Sequence, residues 1–326
     1  MRVNRFVVAI SGAVVGALAA TGFHRQATAD DHMAHMSAAD MIAPRVIATA
    51  NQGVPGLPPS ANSAPARLAA SNRHSEWVKI AWEPGSKDSL MAWVVYPSTT
   101  TVKTPVVVVV HEVFGLQTWV RGVADQVAAD GFIAVAPDLN SKVRGGPGTT
   151  ELSGDSARKL IQGVTPADRI TGVSAAARYA MSLPSAAPRY AVIGFCWGGS
   201  TVWMNAINGG VVGFSGGVAF YGAAPYGAAG APNADSLAKI TRPVMLLSGT
   251  KDPRIGATMP ALDSIMKANR KDYFGRNYEG AVHGFVRAQD DPKNPRDEAE
   301  EAANMAALKD GWPRTVEFLK KNLGVK

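Results

Sequence analysis

The sequence predicts an α/β protein, a mainly parallel sheet with helices on both of its faces. Two observations carry that prediction. Val106–Val110 is an unbroken run of five valines, the pattern of a strand covered on both sides. From there onward, apolar runs of strand length alternate with segments of helical spacing, the order that builds parallel βαβ units. The chain has 326 residues, 46% hydrophobic and 18% charged, enough apolar material for a full core and unlike disordered or coiled-coil compositions.

The elements follow in order. "EWVKIAW" and "LMAWVVYP" flank the turn-rich "EPGSKDS" and read as a β-hairpin beginning near residue 76. After the valine strand, "WVRGVADQVAADG" has helical spacing and ends at Gly131, a C-terminal cap. "FIAVAPDL" is a second buried strand. "RITGVSAAARYAMSL" is an Ala-rich helix stopped before Pro184, and "YAVIGF" is a third strand. "PVMLLSG" and "DYFGRNY" are further strands, and residues 297–323 are mostly a closing helix.

The N-terminal region reads differently. Arg2 and Arg5 precede an apolar stretch from Phe6 to Ala20, and Ala27-Thr28-Ala29 has the small-x-small form of a signal-peptidase site. Residues 1–29 are therefore expected to be a signal peptide, giving a periplasmic or secreted protein with no stable membrane anchor after cleavage. Residues 30–75, rich in Ala, Pro, Ser, Asn and Met, read as an extended arm or linker, and 76–326 as the α/β domain. Cleavage removes three arginines and no acid, lowering the formal charge from +7 to +4. That modest charge, without a basic stripe, gives no support to nucleic-acid binding.

The chemistry centres on the lone cysteine of the chain. Cys196 falls in Gly194-Phe195-Cys196-Trp197-Gly198, between a predicted strand and a predicted helix. A strand–turn–helix junction with flanking glycines lifts a nucleophile above the sheet and places it at a helix N-terminus, which favours thiolate. "GFSGG" at 213–217 has the same spacing around Ser215, but a strand follows it where a helix is needed. A nucleophile of this kind needs an acid and a histidine after it. Asp252 follows the predicted strand 244–248, and His283 is the one histidine beyond Cys196. His111-Glu112 opens like a zinc-binding H-E-x-x-H helix, but Gly115 stands at the last position, so no metal site is read there.

"HEVFGL", "GFCWGG", "GTKDP" and "VHGFVR" together resemble the dienelactone hydrolases (carboxymethylenebutenolidases) over roughly residues 76–323. The resemblance implies an α/β-hydrolase fold and opening of a lactone or activated ester without a cofactor. It implies catalytic roles for Cys196, His283 and Asp252, with Glu112 helping to take the thiol proton. It implies oxyanion amides at Val113 and Trp197, and Arg287 and Arg158 as holders of a substrate carboxylate. The expected partner is thus a small ester or lactone, with an anionic group. A broader esterase or thioesterase is the alternative within enzymes. A different class is a metal-binding protein, since a mature start Asp30-Asp31-His32 has the nitrogen donors of a square-planar Cu(II) or Ni(II) site.

Overall fold

The computed structural model describes residues 53–99, 103–145, 154–227, 231–287 and 297–325. The signal segment and the first half of the 30–75 arm, residues 30–52 with Asp30-Asp31-His32, lie outside the described residues.

Eight strands form one sheet: β1 (Ser75–Ala81), β2 (Ser89–Val95), β3 (Thr104–Val110), β4 (Ile133–Pro137), β5 (Ala186–Phe195), β6 (Phe214–Phe220), β7 (Val244–Gly249) and β8 (Tyr273–Tyr278), in spatial order β1-β2-β4-β3-β5-β6-β7-β8. β1 and β2 are the expected antiparallel hairpin, β2 meets β4 antiparallel, and every other pairing is parallel. This is the α/β-hydrolase class of architecture that the sequence implied.

The valine run shows why. Successive side chains of a strand point to opposite faces. Val106, Val108 and Val110 enter one core with the helix Pro166–Ser182, while Val107 and Val109 enter the other with Thr118–Ala129. All five are fully buried, so both faces must be covered. Helix ends follow local chemistry: Thr165 and Asp168 form a reciprocal capping box before Pro166–Ser182, and Gly131, with φ +99°, follows the helix Thr118–Ala129.

One expectation needs correction. The last third of the 30–75 segment is not extended. Ala64–Ala70 is a helix, Ser60 and Ser63 exchange hydrogen bonds of 2.9–3.0 Å ahead of it, and Leu57 and Ala64 are buried in the core that holds Thr118–Ala129. Gly122 makes room: a Cβ there would lie 2.8 Å from Pro59 and 3.3 Å from Ala64. Seven residues rich in alanine form a helix once tertiary packing covers one side, a contribution that local periodicity does not show.

In a parallel sheet the carboxyl ends of the strands share one edge, and ligands bind there where strand order reverses. The chain leaves β3 toward β4 on one side and β5 on the other. The loops after β3 and β5, carrying Glu112 and Cys196, flank that crevice.

Candidate active site

Cys196 follows β5 directly and is the N-cap of the helix Trp197–Ile207. Its backbone is strained, with φ +54° and ψ −114°, a region that side-chain-bearing residues rarely occupy. The surroundings enforce the turn. A Cβ on Gly194 would sit 2.2 Å from the Gly198 carbonyl oxygen, and one on Gly198 would sit 2.4 Å from that of Val110. Only glycine lets strand, turn and helix approach this closely. The Trp197 amide, first in its helix, is among those with no intrahelical acceptor. Val113 lies in the turn after β3.

His283 and Asp252 arrive from the loops after β8 and β7. His283 Nδ1 and Asp252 Oδ2 form a very short hydrogen bond, and Asp252 is 2% exposed. Burial opposes charge on His283, but the hydrogen bond to Asp252 and the nearby Cys196 sulfur outweigh it and raise the imidazole to about 9. The four side chains from four loops therefore converge: Cys196 on His283, His283 on Asp252, and Glu112 close by.

Glu112 is 5% exposed. Burial raises its carboxyl to about 7, partly offset by Arg287, His283 and Tyr221. Its Oε2 is 3.6 Å from Arg287 Nε, and the Tyr221 hydroxyl donates to Oε1 at 3.5 Å. His111 next to it is not free for a metal. Its Nδ1 donates to the Glu112 carbonyl oxygen at 2.7 Å and its Nε2 accepts from the Leu139 amide at 3.1 Å, while burial keeps it neutral.

The two arginines meet at one ring. Arg287 Cζ lies 5.0 Å and Arg158 Cζ 4.8 Å from the centroid of Phe114. Arg158 is exposed, its closest acid among the described residues Asp155 at 3.9 Å. A cleft of about 440 Å³ opens on the sulfur, walled by Cys196, Trp197, Tyr221, Tyr226, Arg254 and His283 among others. Its wall includes neither Arg158 nor Arg287, because Arg287 is turned to Glu112. Ser215 stands apart, as the second residue of β6, and its hydroxyl donates to the Gly213 carbonyl oxygen at 3.1 Å.

Three site residues escaped the sequence. Tyr221 stacks edge-on against His283 at 4.9 Å and has φ +40°. No local signal marks an aromatic residue in that conformation. Arg254 puts Nη2 3.5 Å from His283 Nδ1 and Nε 3.7 Å from Asp252 Oδ1. Its place two residues after Asp252 was the available clue. Arg169 reaches Trp197 from the helix Pro166–Ser182, and a charge inside an Ala-rich helix was its signal.

The dienelactone hydrolase family model matches residues 90–323. The chain belongs to the dienelactone hydrolase family. It is, by that membership, an α/β-hydrolase acting on carboxylic esters. A Synechocystis sp. (strain ATCC 27184 / PCC 6803 / Kazusa) relative named "Putative carboxymethylenebutenolidase" is 28% identical over 67% of this chain and 87% of its own length. A Bradyrhizobium sp relative named "Probable 2-oxo-3-(5-oxofuran-2-ylidene)propanoate lactonase" is 27% identical over 78% of this chain and 98% of its own. Among solved structures, a Klebsiella pneumoniae subsp. pneumoniae MGH 78578 protein named "Putative Dienelactone Hydrolase" superposes with a TM-score of 0.62 at 24% identity, covering 76% of this chain and 99% of that one, a likeness of fold.

Proposed function

We propose that this dienelactone hydrolase family member opens a lactone or activated ester by covalent catalysis at Cys196. The observation that carries the reading is that Cys196 and His283 wall one cleft, with His283 hydrogen-bonded to the buried Asp252 and the sulfur at a helix N-terminus. The thiolate attacks the substrate carbonyl carbon. The resulting oxyanion is held by the Val113 and Trp197 amides, worth roughly 3 kcal/mol per donor in sites of this kind. As the carbon–oxygen bond breaks, His283 gives its proton to the departing oxygen. It then takes a proton from the water that attacks the thioester, and the carbon–sulfur bond breaks to restore the thiolate. Asp252 fixes the imidazole tautomer and offsets its charge.

Glu112 is the proton acceptor for a neutral Cys196 thiol. Its carboxyl, raised to about 7 by burial, is balanced between states near neutral pH, the condition for efficient transfer. Arg287, now opposite Glu112, and Arg158 across Phe114 form a cationic corner for a substrate carboxylate. An anionic substrate competes with Glu112 for Arg287 and frees the glutamate to act. The Ala27-Thr28-Ala29 site supports export of the enzyme through the N-terminal segment, and no helix among the described residues is long and apolar enough to cross a membrane.

Rapid quenching with an activated ester, followed by intact-mass analysis, tests the reading. The acyl group is expected on Cys196, present in Ser215→Ala and absent from Cys196→Ala. Acylation retained in Cys196→Ala overturns it.

A further inference from the structure

The helix Pro166–Ser182 carries an arginine into the interior. Arg169 is 7% exposed. Its Nε donates to Thr201 Oγ1 at 2.8 Å and its Nη2 to the Trp197 carbonyl oxygen at 2.5 Å. Its Cζ lies 4.0 Å from the centroid of a Trp197 ring. All three contacts fall on the first turn or so of the helix that begins at Cys196.

The charge itself lacks an ordinary partner. Among the described residues no carboxylate lies within ion-pair distance of Arg169. The adjacent Asp168 is held by Lys142 at 2.5 Å and by Thr165, and Asp138 is held by Arg144 at 2.6 Å. A buried cation without a counter-charge is costly. Burial lowers the guanidinium to about 10, and the opposing attraction comes from Cys196. His111, stacked on Trp197 at 5.6 Å, is neutral and contributes no compensation.

We propose that Arg169 is a positioning residue for the nucleophile, clamping the first turn of the Cys196 helix and serving as the buried counter-charge of its thiolate. The proposal rests on Cys196 as the nucleophile and adds a charge that this reading does not itself require. Each of the other cations around the sulfur has a carboxylate beside it. Glu112 from the β3 loop faces Arg287, His283 from the β8 loop is bound to Asp252 with Arg254 beside them, and Tyr221 from the β6 loop is uncharged. Arg169 is the charge whose counter-ion exists only when the sulfur is ionised. It acts in both steps, since the thiolate attacks in the first and departs in the second.

The single cysteine makes the test direct, because alkylation by iodoacetamide reports on Cys196 alone. The full chain is compared with Arg169→Met and Arg169→Lys for alkylation rate from pH 5 to 9, thermal unfolding and ester kinetics. Arg169→Met is expected to alkylate roughly ten-fold more slowly near pH 6, with the difference vanishing at high pH, and to lose kcat with little change in KM. Arg169→Lys keeps the charge and is expected to stay within about two-fold of wild type in alkylation, losing kcat through its lost two-bond grip. A folded Arg169→Met with the wild-type alkylation profile overturns the proposal. Should Arg169→Met not fold, Arg169→Lys decides: a profile slowed about ten-fold despite the retained charge also overturns it. The acylation experiment on Cys196 is separate, so failure of the nucleophile assignment and failure of this proposal are distinguishable.

Discussion

Residues 194–198 and 213–217 share one spacing, glycine–x–nucleophile–x–glycine, at opposite ends of neighbouring parallel strands. The first ends β5 and opens a helix, so Cys196 stands at the carboxyl edge with φ +54°. The second opens β6, so Ser215 sits at the amino end, its hydroxyl spent on a carbonyl two residues back. The glycines differ too. Gly194, Gly198 and Gly213 are all crowded by backbone carbonyls, Gly213 by that of Pro188 at 2.8 Å, whereas Gly217 meets chiefly a Val202 methyl at 2.5 Å. A motif of small residues thus has no chemical meaning until the direction of its strand is known. Glu112, Asp252 and His283 gather at the carboxyl edge, because that is where parallel strands deliver their loops.

The largest expected effect breaks this comparison outright if it fails. Cys196→Ala should lower kcat/KM on an activated ester by roughly a thousand-fold or more, while Ser215→Ala changes it less than about two-fold. Steady-state kinetics on the two variants decide, and reversed losses would move the nucleophile to β6.

The partners come next. Asp252→Asn should cut kcat by about two to four orders of magnitude, through loss of the tautomer that points the imidazole at sulfur. Near-normal turnover would place the orienting acid elsewhere. It would also remove the reason for the carboxyl edge to matter.

The glycines sharpen the contrast. Gly198→Ala drives a Cβ into two carbonyl oxygens, those of Val110 and His111. It should cost about 1–3 kcal/mol of stability and most of the turnover. Gly217→Ala should lower the melting temperature while leaving kcat near wild type. Calorimetry beside kinetics separates the two, and equal losses of kcat would show that both turns serve the site.

At the rim of the β5 site, Arg287→Lys should weaken kcat/KM for a carboxylate-bearing lactone by about 1–3 kcal/mol, with a neutral ester far less affected. A lysine cannot copy the two-bond fork. Equal losses on both substrates would make Arg287 a support for Glu112 rather than a reader of substrate.

The smallest effect concerns pH. Burial raises Glu112 from its ordinary value to about 7, so the folded protein binds more protons than the unfolded one between roughly pH 4.5 and 7. Stability from this group therefore falls as pH rises through that window. Glu112→Gln should raise the unfolding free energy at pH 8 by on the order of 1 kcal/mol and leave it nearly unchanged at pH 4. A melting temperature shifted equally at both pH values would contradict the titration. The same variant should slow turnover through loss of the thiol's proton acceptor.

How much of this was legible depends on the range of the interaction involved. Val106–Val110 named its own strand and its two-sided burial, because side-chain alternation is a local property of the backbone. The Gly194–Gly198 turn could be read because its crowding arises within five residues of chain and the strand and helix that adjoin them. The succession Cys196, Asp252, His283 could be ordered, since each follows a strand that announces itself. Those features the sequence determined alone.

Tertiary structure decided the rest. The helix Ala64–Ala70 is too short to declare itself and exists against Thr118–Ala129, where Gly122 leaves it room. Arg158 and Arg287 lie 129 positions apart in the sequence, and only folding brings both to Phe114. Tyr221 takes a left-handed backbone and Arg169 takes its buried place because distant elements crowd around them. Burial, likewise, is what moves Glu112 toward neutrality. These outcomes depend on which surfaces exclude water from which charges, and that is settled by contacts between segments far apart along the chain.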